Sequence, residues 1–166
     1  ISEGGDINGD GFNDFIIATD GGYACVYNGF EGGLPTIADK VLSLGNASNG
    51  NIVEVAIIGD INDDGYDDVA VNNKTPGPIN STQIFLYHGA ATGINAPTRT
   101  LEVYLNTEME YGFQVSLAPA GDFNGDGFAD FLVGNQWGTD TFTNEGEARL
   151  FFGTALGIET SPHILV

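Results

Sequence analysis

The pattern Asp-x-Asn-x-Asp-Gly-aromatic-x-Asp occurs three times in this chain, as Asp6 to Asp14, Asp60 to Asp68 and Asp122 to Asp130. The starts lie 54 and 62 residues apart, a spacing that suits blade-sized all-β units and not the shorter period of helical solenoids. A short apolar run follows each copy at once: Phe15-Ile16-Ile17-Ala18, Val69-Ala70-Val71 and Phe131-Leu132-Val133-Gly134. Whatever the chain folds into must therefore place one acidic loop before the same strand three times over.

A second signature repeats in step with the first. Runs of β-forming residues close on a glycine in Ala24 to Gly29, Ile84 to Gly89 and Ala148 to Gly153, and four residues later come Gly33-Leu34, Gly93-Ile94 and Gly157-Ile158. Further strands are expected over Lys40 to Leu44, Thr100 to Leu105 and Pro162 to Val166, and strands entering the loops over Ile52 to Ile58 and Phe113 to Leu117. No apolar stripe of period 3.6 and useful length survives the glycines, so no helix is expected. The reading is all-β: one segment of three four-stranded antiparallel units, about 1–45, 46–106 and 107–166. The first unit is truncated, because only Ile1 to Gly5 stands where its entering strand should be. A start at Ile and inside a strand suggests a piece of a longer protein; the alternative is a ring closed by several copies.

The formal charge of −19 argues against nucleic acid or an anionic membrane surface as partner. Nine of the 14 aspartates fall at motif positions 1, 5 and 9, so the acidity sits where a divalent ion would neutralise it. Cys25 is the only cysteine, which rules out an intrachain disulfide and a thiolate zinc site. There is no apolar run long enough to span a bilayer, and no basic-then-apolar leader.

Oxygen ligands at positions 1, 3 and 5 can converge on one ion when the chain curls, and the glycine at position 6 permits the turn. The expected ligands are Asp6, Asn8, Asp10, the carbonyl of Phe12 and Asp14 in the first loop. The second offers Asp60, Asn62, Asp64, the carbonyl of Tyr66 and Asp68; the third offers Asp122, Asn124, Asp126, the carbonyl of Phe128 and Asp130. Hard, all-oxygen sets of this size select Ca2+, at three sites. An EF-hand would carry Glu at position 12 between helices, whereas Ile17, Val71 and Val133 stand there and lead into strands. The acid at position 9 is left to close the site.

Taken together, the loops, the apolar runs after them, Tyr111-Gly112-Phe113 and the strand ends Tyr87-His88-Gly89 and Phe152-Gly153 resemble the FG-GAP repeats of integrin α-subunit β-propellers and their bacterial relatives. The Gly-Ala-Pro element of that family is degenerate here, as Gly134-Asn135-Gln136, Asn72-Asn73-Lys74 and Ala18-Thr19-Asp20. The resemblance implies four-stranded blades, each with a calcium loop between its first and second strands. Family propellers have about seven blades, so three would form a partial propeller or, through their open edges, self-associate.

Nothing outside the loops points to catalysis. His88 takes the place of Asn28 and Phe152 in the repeat and reads, like His163, as an edge or surface residue. Cys25 reads as a buried, inert thiol, and Trp137 with Tyr111 and Phe142 as packing more than a sugar-stacking surface. Asn46 and Asn80 begin glycosylation sequons that matter only in a eukaryotic secretory protein. The expected function is a non-enzymatic, calcium-stabilised binding or adhesion module, extracellular or at the cell surface, with a protein or glycan ligand and no membrane insertion. Two alternatives are an accessory propeller of a polysaccharide-active enzyme and a self-assembling structural repeat.

Overall fold

A computed structural model describes residues 1–2, 4–19, 22–33, 35–43, 53–74, 81–94, 96–104, 115–136 and 146–165. No described residue is helical. The strands are β1 (Phe15–Thr19), β2 (Tyr23–Tyr27) and β3 (Lys40–Ser43); β4 (Val53–Gly59), β5 (Asp68–Lys74), β6 (Ser81–Tyr87) and β7 (Arg99–Tyr104); then β8 (Val115–Gly121), β9 (Asp130–Asn135) and β10 (Glu147–Phe151). A short hairpin of β11 (Gly153–Thr154) and β12 (Gly157–Ile158) precedes β13 (His163–Leu165). They form three antiparallel meanders, β1-β2-β3, β4-β5-β6-β7 and β8-β9-β10-β13, an open, partial propeller-like arrangement.

The missing first strand of the first blade survives in part. Ser2 donates its amide to Ile16 O at 3.0 Å, and Gly5 and Asp14 exchange backbone hydrogen bonds, so Ser2 and Gly5 flank Asp14 to Ile16 where β4 and β8 run in the other blades. The expected strand over Phe113 to Leu117 is found as Val115–Gly121, with Phe113 and Gln114 outside the described residues. It runs through Pro119, which an edge strand tolerates because no neighbour needs its missing N–H. Both β4 and β8 slip register just before their loops, between Ile57 and Gly59 and between Pro119 and Gly121. Such a bulge adds twist where the strand must turn into the loop.

The core lies between blades rather than within one. Alternation along each strand decides which neighbour a side chain meets. In the middle blade Val55, Ile57, Val69, Val71 and Tyr87 join Ile7, Ile16, Ala24, Val26 and Leu42 of the first. Ala56, Ile58, Ala70, Ile84 and Leu86, on the opposite face, join Val115, Leu117, Phe131, Val133 and Phe151 of the third. Hence Val69, Ala70 and Val71 are all fully buried: a strand covered on both faces has no polar side to keep. The first blade buries one face, whereas on the third Leu150, paired with Leu132 on the side away from the middle blade, is buried as well. On the first, Phe15 and Tyr27 stack at 4.8 Å yet stay half-exposed, and Tyr23 and Val41 are exposed.

Candidate metal centres

Each acidic loop leaves one strand and enters the next: residues 60–67 join β4 to β5, and 122–129 join β8 to β9. The same hydrogen bonds shape all three. Asp6 Oδ1 accepts the Asp10 amide at 3.1 Å and Oδ2 the Gly11 amide at 2.9 Å. Asn8 Oδ1 accepts the Asp10 amide at 3.0 Å, and Asp10 Oδ1 the Phe12 amide at 2.9 Å. Asp60, Asn62 and Asp64 repeat this with the amides of Asp64, Gly65 and Tyr66, and Asp122, Asn124 and Asp126 with those of Asp126, Gly127 and Phe128. The Asn side chain also donates to the position 5 carboxylate, at 3.0, 3.0 and 2.8 Å. The side chains at positions 1, 3 and 5 are thus wound around one turn by its own amides.

Backbone conformation explains the residue choice at positions 4 and 6. Gly11, Gly65 and Gly127 have φ of 86°, 88° and 98°, and Gly9 and Gly125 have 71° and 79°. Asp63, at 59°, is the one described non-glycine residue with positive φ, and Asp is among the few residues that adopt that region readily.

Position 9 does different work. Asp14, Asp68 and Asp130 are almost wholly buried, and each carboxylate bridges two amides. Oδ2 accepts from position 2 of its own loop (Ile7, Ile61, Phe123, at 2.9, 2.9 and 2.8 Å) and Oδ1 from the glycine closing the blade's third strand (Gly29, Gly89, Gly153, at 2.8, 2.9 and 2.9 Å). Burial pushes Asp68 up to about 7, against the pull of the Gly89 and Ile61 amides and with a smaller push from Asp64 and Asp60. Asp14 is raised for the same leading reason. This bridging role was not legible in the sequence, although the invariant pairing of position 9 with a glycine 15, 21 or 23 residues later is its signal.

The loops also join one blade to the next. Asp6 O accepts the Asp67 amide at 3.0 Å and Ile7 O the Ala90 amide at 3.1 Å; Asp60 O and Ile61 O accept those of Ala129 and Thr154 at 2.9 and 3.0 Å. Carbonyls at positions 1 and 2 of one loop therefore meet amides at position 8 and after the closing glycine of the following blade. Gly89 and Gly153 face these carbonyls directly: a Cβ on Gly89 would lie 2.6 Å from Ile7 O, and one on Gly153 2.8 Å from Ile61 O.

The donor set fits a hard divalent cation. Each loop carries two solvent-accessible carboxylates four residues apart, half-buried at Asp6 and Asp60 and exposed at Asp10, Asp64, Asp122 and Asp126, and the ion pair of Arg149 with Glu147, at 2.8 Å between described residues, is elsewhere. No described backbone hydrogen bond of the turns ends on the carbonyls of Phe12, Tyr66 or Phe128. The described residues contain no ready cluster of three or more Asp, Glu, His or Cys side chains, so positions 1, 5 and 9 do not form a three-carboxylate cage. A position 9 oxygen with one amide bond keeps a lone pair.

The remaining candidates fall in place as follows. His88 Nδ1 lies 3.2 Å from Asn62 Nδ2, an amide donor, so the histidine accepts there and holds the Asn62 oxygen toward the loop. His163 is exposed and packs on Phe152 at 4.7 Å. Cys25 is half-buried rather than buried, because the outer face of the first blade has no neighbour among the described residues. Trp137, Tyr111, Phe142, Asn46 and Asn80 lie outside the described residues.

Comparison with known proteins gives a consistent picture. Residues 113–151 match the FG-GAP repeat. Integrin alpha-V of Gallus gallus is 31% identical over 176 residues, covering 96% of this chain and 16% of that protein. Integrin alpha-7 of Homo sapiens is 29% identical over 140 residues (78% of this chain, 11% of the relative), and integrin alpha-IIb of Mus musculus 35% over 81 (48% and 8%). The chain thus spans 16% or less of the length of these relatives.

Proposed function

Because this chain belongs to the FG-GAP repeat family and is integrin α-like, we propose that it is a calcium-stabilised propeller segment serving as a non-enzymatic binding or adhesion module. The observation that carries this reading is the shared winding of three loops. In each, Asp at positions 1 and 5 and Asn at position 3 are held by the amides of positions 5, 6 and 7, with the carboxylates lacking any described cation. Two carboxylates fixed on one turn repel, and a bound Ca2+ turns that repulsion into attraction. Asp6, Asn8 and Asp10 with the Phe12 carbonyl would face the ion, and Asp14 would add the lone pairs its two amides leave free. The sets at Asp60, Asn62, Asp64, Tyr66 and Asp68, and at Asp122, Asn124, Asp126, Phe128 and Asp130, are equivalent.

The ion's role is structural. The first and second loops begin at the carbonyls that bind the next blade, so fixing those loops fixes the two seams. An ion at 100 times its dissociation constant adds about 2.7 kcal/mol per site. Three sites then supply about 8 kcal/mol, against a typical domain total of about 5–15. Millimolar extracellular calcium fills even weak sites of this kind, which supports a cell-surface or secreted setting and a protein or glycan ligand. Calorimetric titration of the chelator-treated chain tests the reading: three equivalents of Ca2+ are expected, and no uptake would overturn it.

A further inference from the structure

We propose that the first and second calcium loops are thermodynamically coupled through Tyr66 and Asp67, so that an ion in either one raises the affinity of the other. The inference rests on the calcium reading and says how two of its sites regulate each other. Three consecutive residues of the second loop face both ways. Tyr66, at position 7, has its amide on Asp64 Oδ1 at 3.1 Å and would offer its carbonyl to the second ion, while its ring lies on the first loop, where an added Cβ on Gly9 would come within 2.7 Å of it. Asp68, at position 9, closes the second loop by accepting the Ile61 amide at 2.9 Å. Between them, Asp67 reaches back to the first loop with backbone and side chain together. Its amide donates to Asp6 O at 3.0 Å, and its Oδ2 accepts the Asp6 amide at 2.8 Å.

Asp6 is position 1 of the first loop, and its carboxylate winds the turn by accepting the amides of Asp10 and Gly11 at 3.1 and 2.9 Å. Asp67 therefore grips, by both its N–H and its carbonyl, the residue on which the first loop is wound. Gly5 makes way for this contact: a Cβ there would lie 2.6 Å from Asp67 Oδ2. An ion that fixes Tyr66 and Asp68 also fixes Asp67 between them, and so places Asp6 before the first ion arrives. The ordering cost is then met once for two ions, which is positive coupling. Linkage requires the first ion to favour the second by the same factor. The second seam carries less of this. Ala129 at position 8 of the third loop still donates its amide to Asp60 O at 2.9 Å, but its methyl group offers no acceptor for the Asp60 amide. Position 4, the glycine that Tyr66 covers in the first loop, is Asp63 in the second. Coupling is thus stronger between the first and second loops than between the second and third.

Calcium titration against a competing chelator tests this on the whole chain, with loops silenced singly and in pairs. Asp10→Asn, Asp64→Asn and Asp126→Asn each remove a charged ligand but keep an oxygen for the amide of position 7, and the corresponding Ala variants replace any loop that still binds. With the third loop silenced, the overall constant for two ions, divided by the product of the constants of the first and second loops each measured alone, is the coupling factor. A factor of about 5 or more is expected, within the ordinary range of coupling between sites. The second and third loops, with the first silenced, should give a smaller one. Asp67→Ala should bring the first factor down to that smaller value, whereas Asp67→Asn, which keeps an oxygen for the Asp6 amide, should preserve it. The cycle with Asp67 intact stands by itself if Asp67→Ala fails to fold. Loops that each bind calcium with a factor of 1 overturn the coupling and leave the calcium reading intact, as does a factor that Asp67→Ala leaves unchanged or Asp67→Asn abolishes. Absence of calcium uptake by the wild-type chain overturns both.

Discussion

The Asp68 carboxylate accepts the Gly89 amide at 2.9 Å across 21 residues of sequence, fastening the start of β5 to the turn after β6 in a fully buried place. Its other oxygen holds Ile61, so Asp68→Ala strands two buried donors. An unsatisfied buried donor costs about 1–3 kcal/mol, and the loss is therefore expected at about 2–6 kcal/mol. Urea unfolding in chelator isolates this from any metal effect. A midpoint equal to wild type would show that the bridge contributes nothing.

Calcium removal should act on the whole chain. Excess EDTA is expected to lower the melting temperature sharply, with Mg2+ a poor substitute because it dehydrates reluctantly and keeps its own waters. An unchanged melt in EDTA would argue against a structural ion in all three loops.

Gly9→Ala and Gly125→Ala share a positive φ, 71° and 79°, but only Gly9 is covered by Tyr66. In the monomer Gly125→Ala is expected to cost about 1–2 kcal/mol, the strain of the left-handed region alone. Gly9→Ala should cost more, since the Tyr66 ring must move. Equal unfolding free energies for the two variants would contradict the packing described here.

The carboxylate of Glu54 spans from the second blade to the third, accepting the Leu117 amide at 3.1 Å, and burial raises its pKa. A raised folded pKa means that the fold binds a proton the unfolded chain has lost. This contribution is therefore fullest below the ordinary glutamate value and is lost as pH rises through the folded value. Glu54→Gln keeps an acceptor for Leu117 without the buried charge. The variant should melt above wild type at alkaline pH, and the gap should close on acidification; a gap independent of pH would refute this.

The three-blade pattern was legible because each strand is short, apolar and punctuated by glycine, and β1, β5 and β9 begin within one residue of the runs read from Phe15, Val69 and Phe131. Loop shape was equally plain, since Asn, Asp and Gly at positions 3, 5 and 6 have few other uses together. Partnership across blades was not. Nothing in the residue type at position 8, which is Asn13, Asp67 or Ala129, signals that its backbone amide binds a carbonyl about 60 residues away. Asp67 alone adds a side-chain contact, its Oδ2 accepting the Asp6 amide at 2.8 Å. The residues of β8 past Leu117 were missed because Pro119 argues against a strand until one knows that it lies on an edge.

Every seam described here runs from positions 1 and 2 of one unit to position 8 and the closing glycine of the next. Partial insertions or deletions would separate a carbonyl pair from its amide pair and leave two mismatched neighbours. Copying a unit from one loop to the corresponding point in the next reproduces a whole seam and disturbs none. The hydrogen-bonding scheme thus favours growth of such proteins by tandem duplication in whole-unit steps, with sequence drift tolerated at position 8 because only its backbone is read.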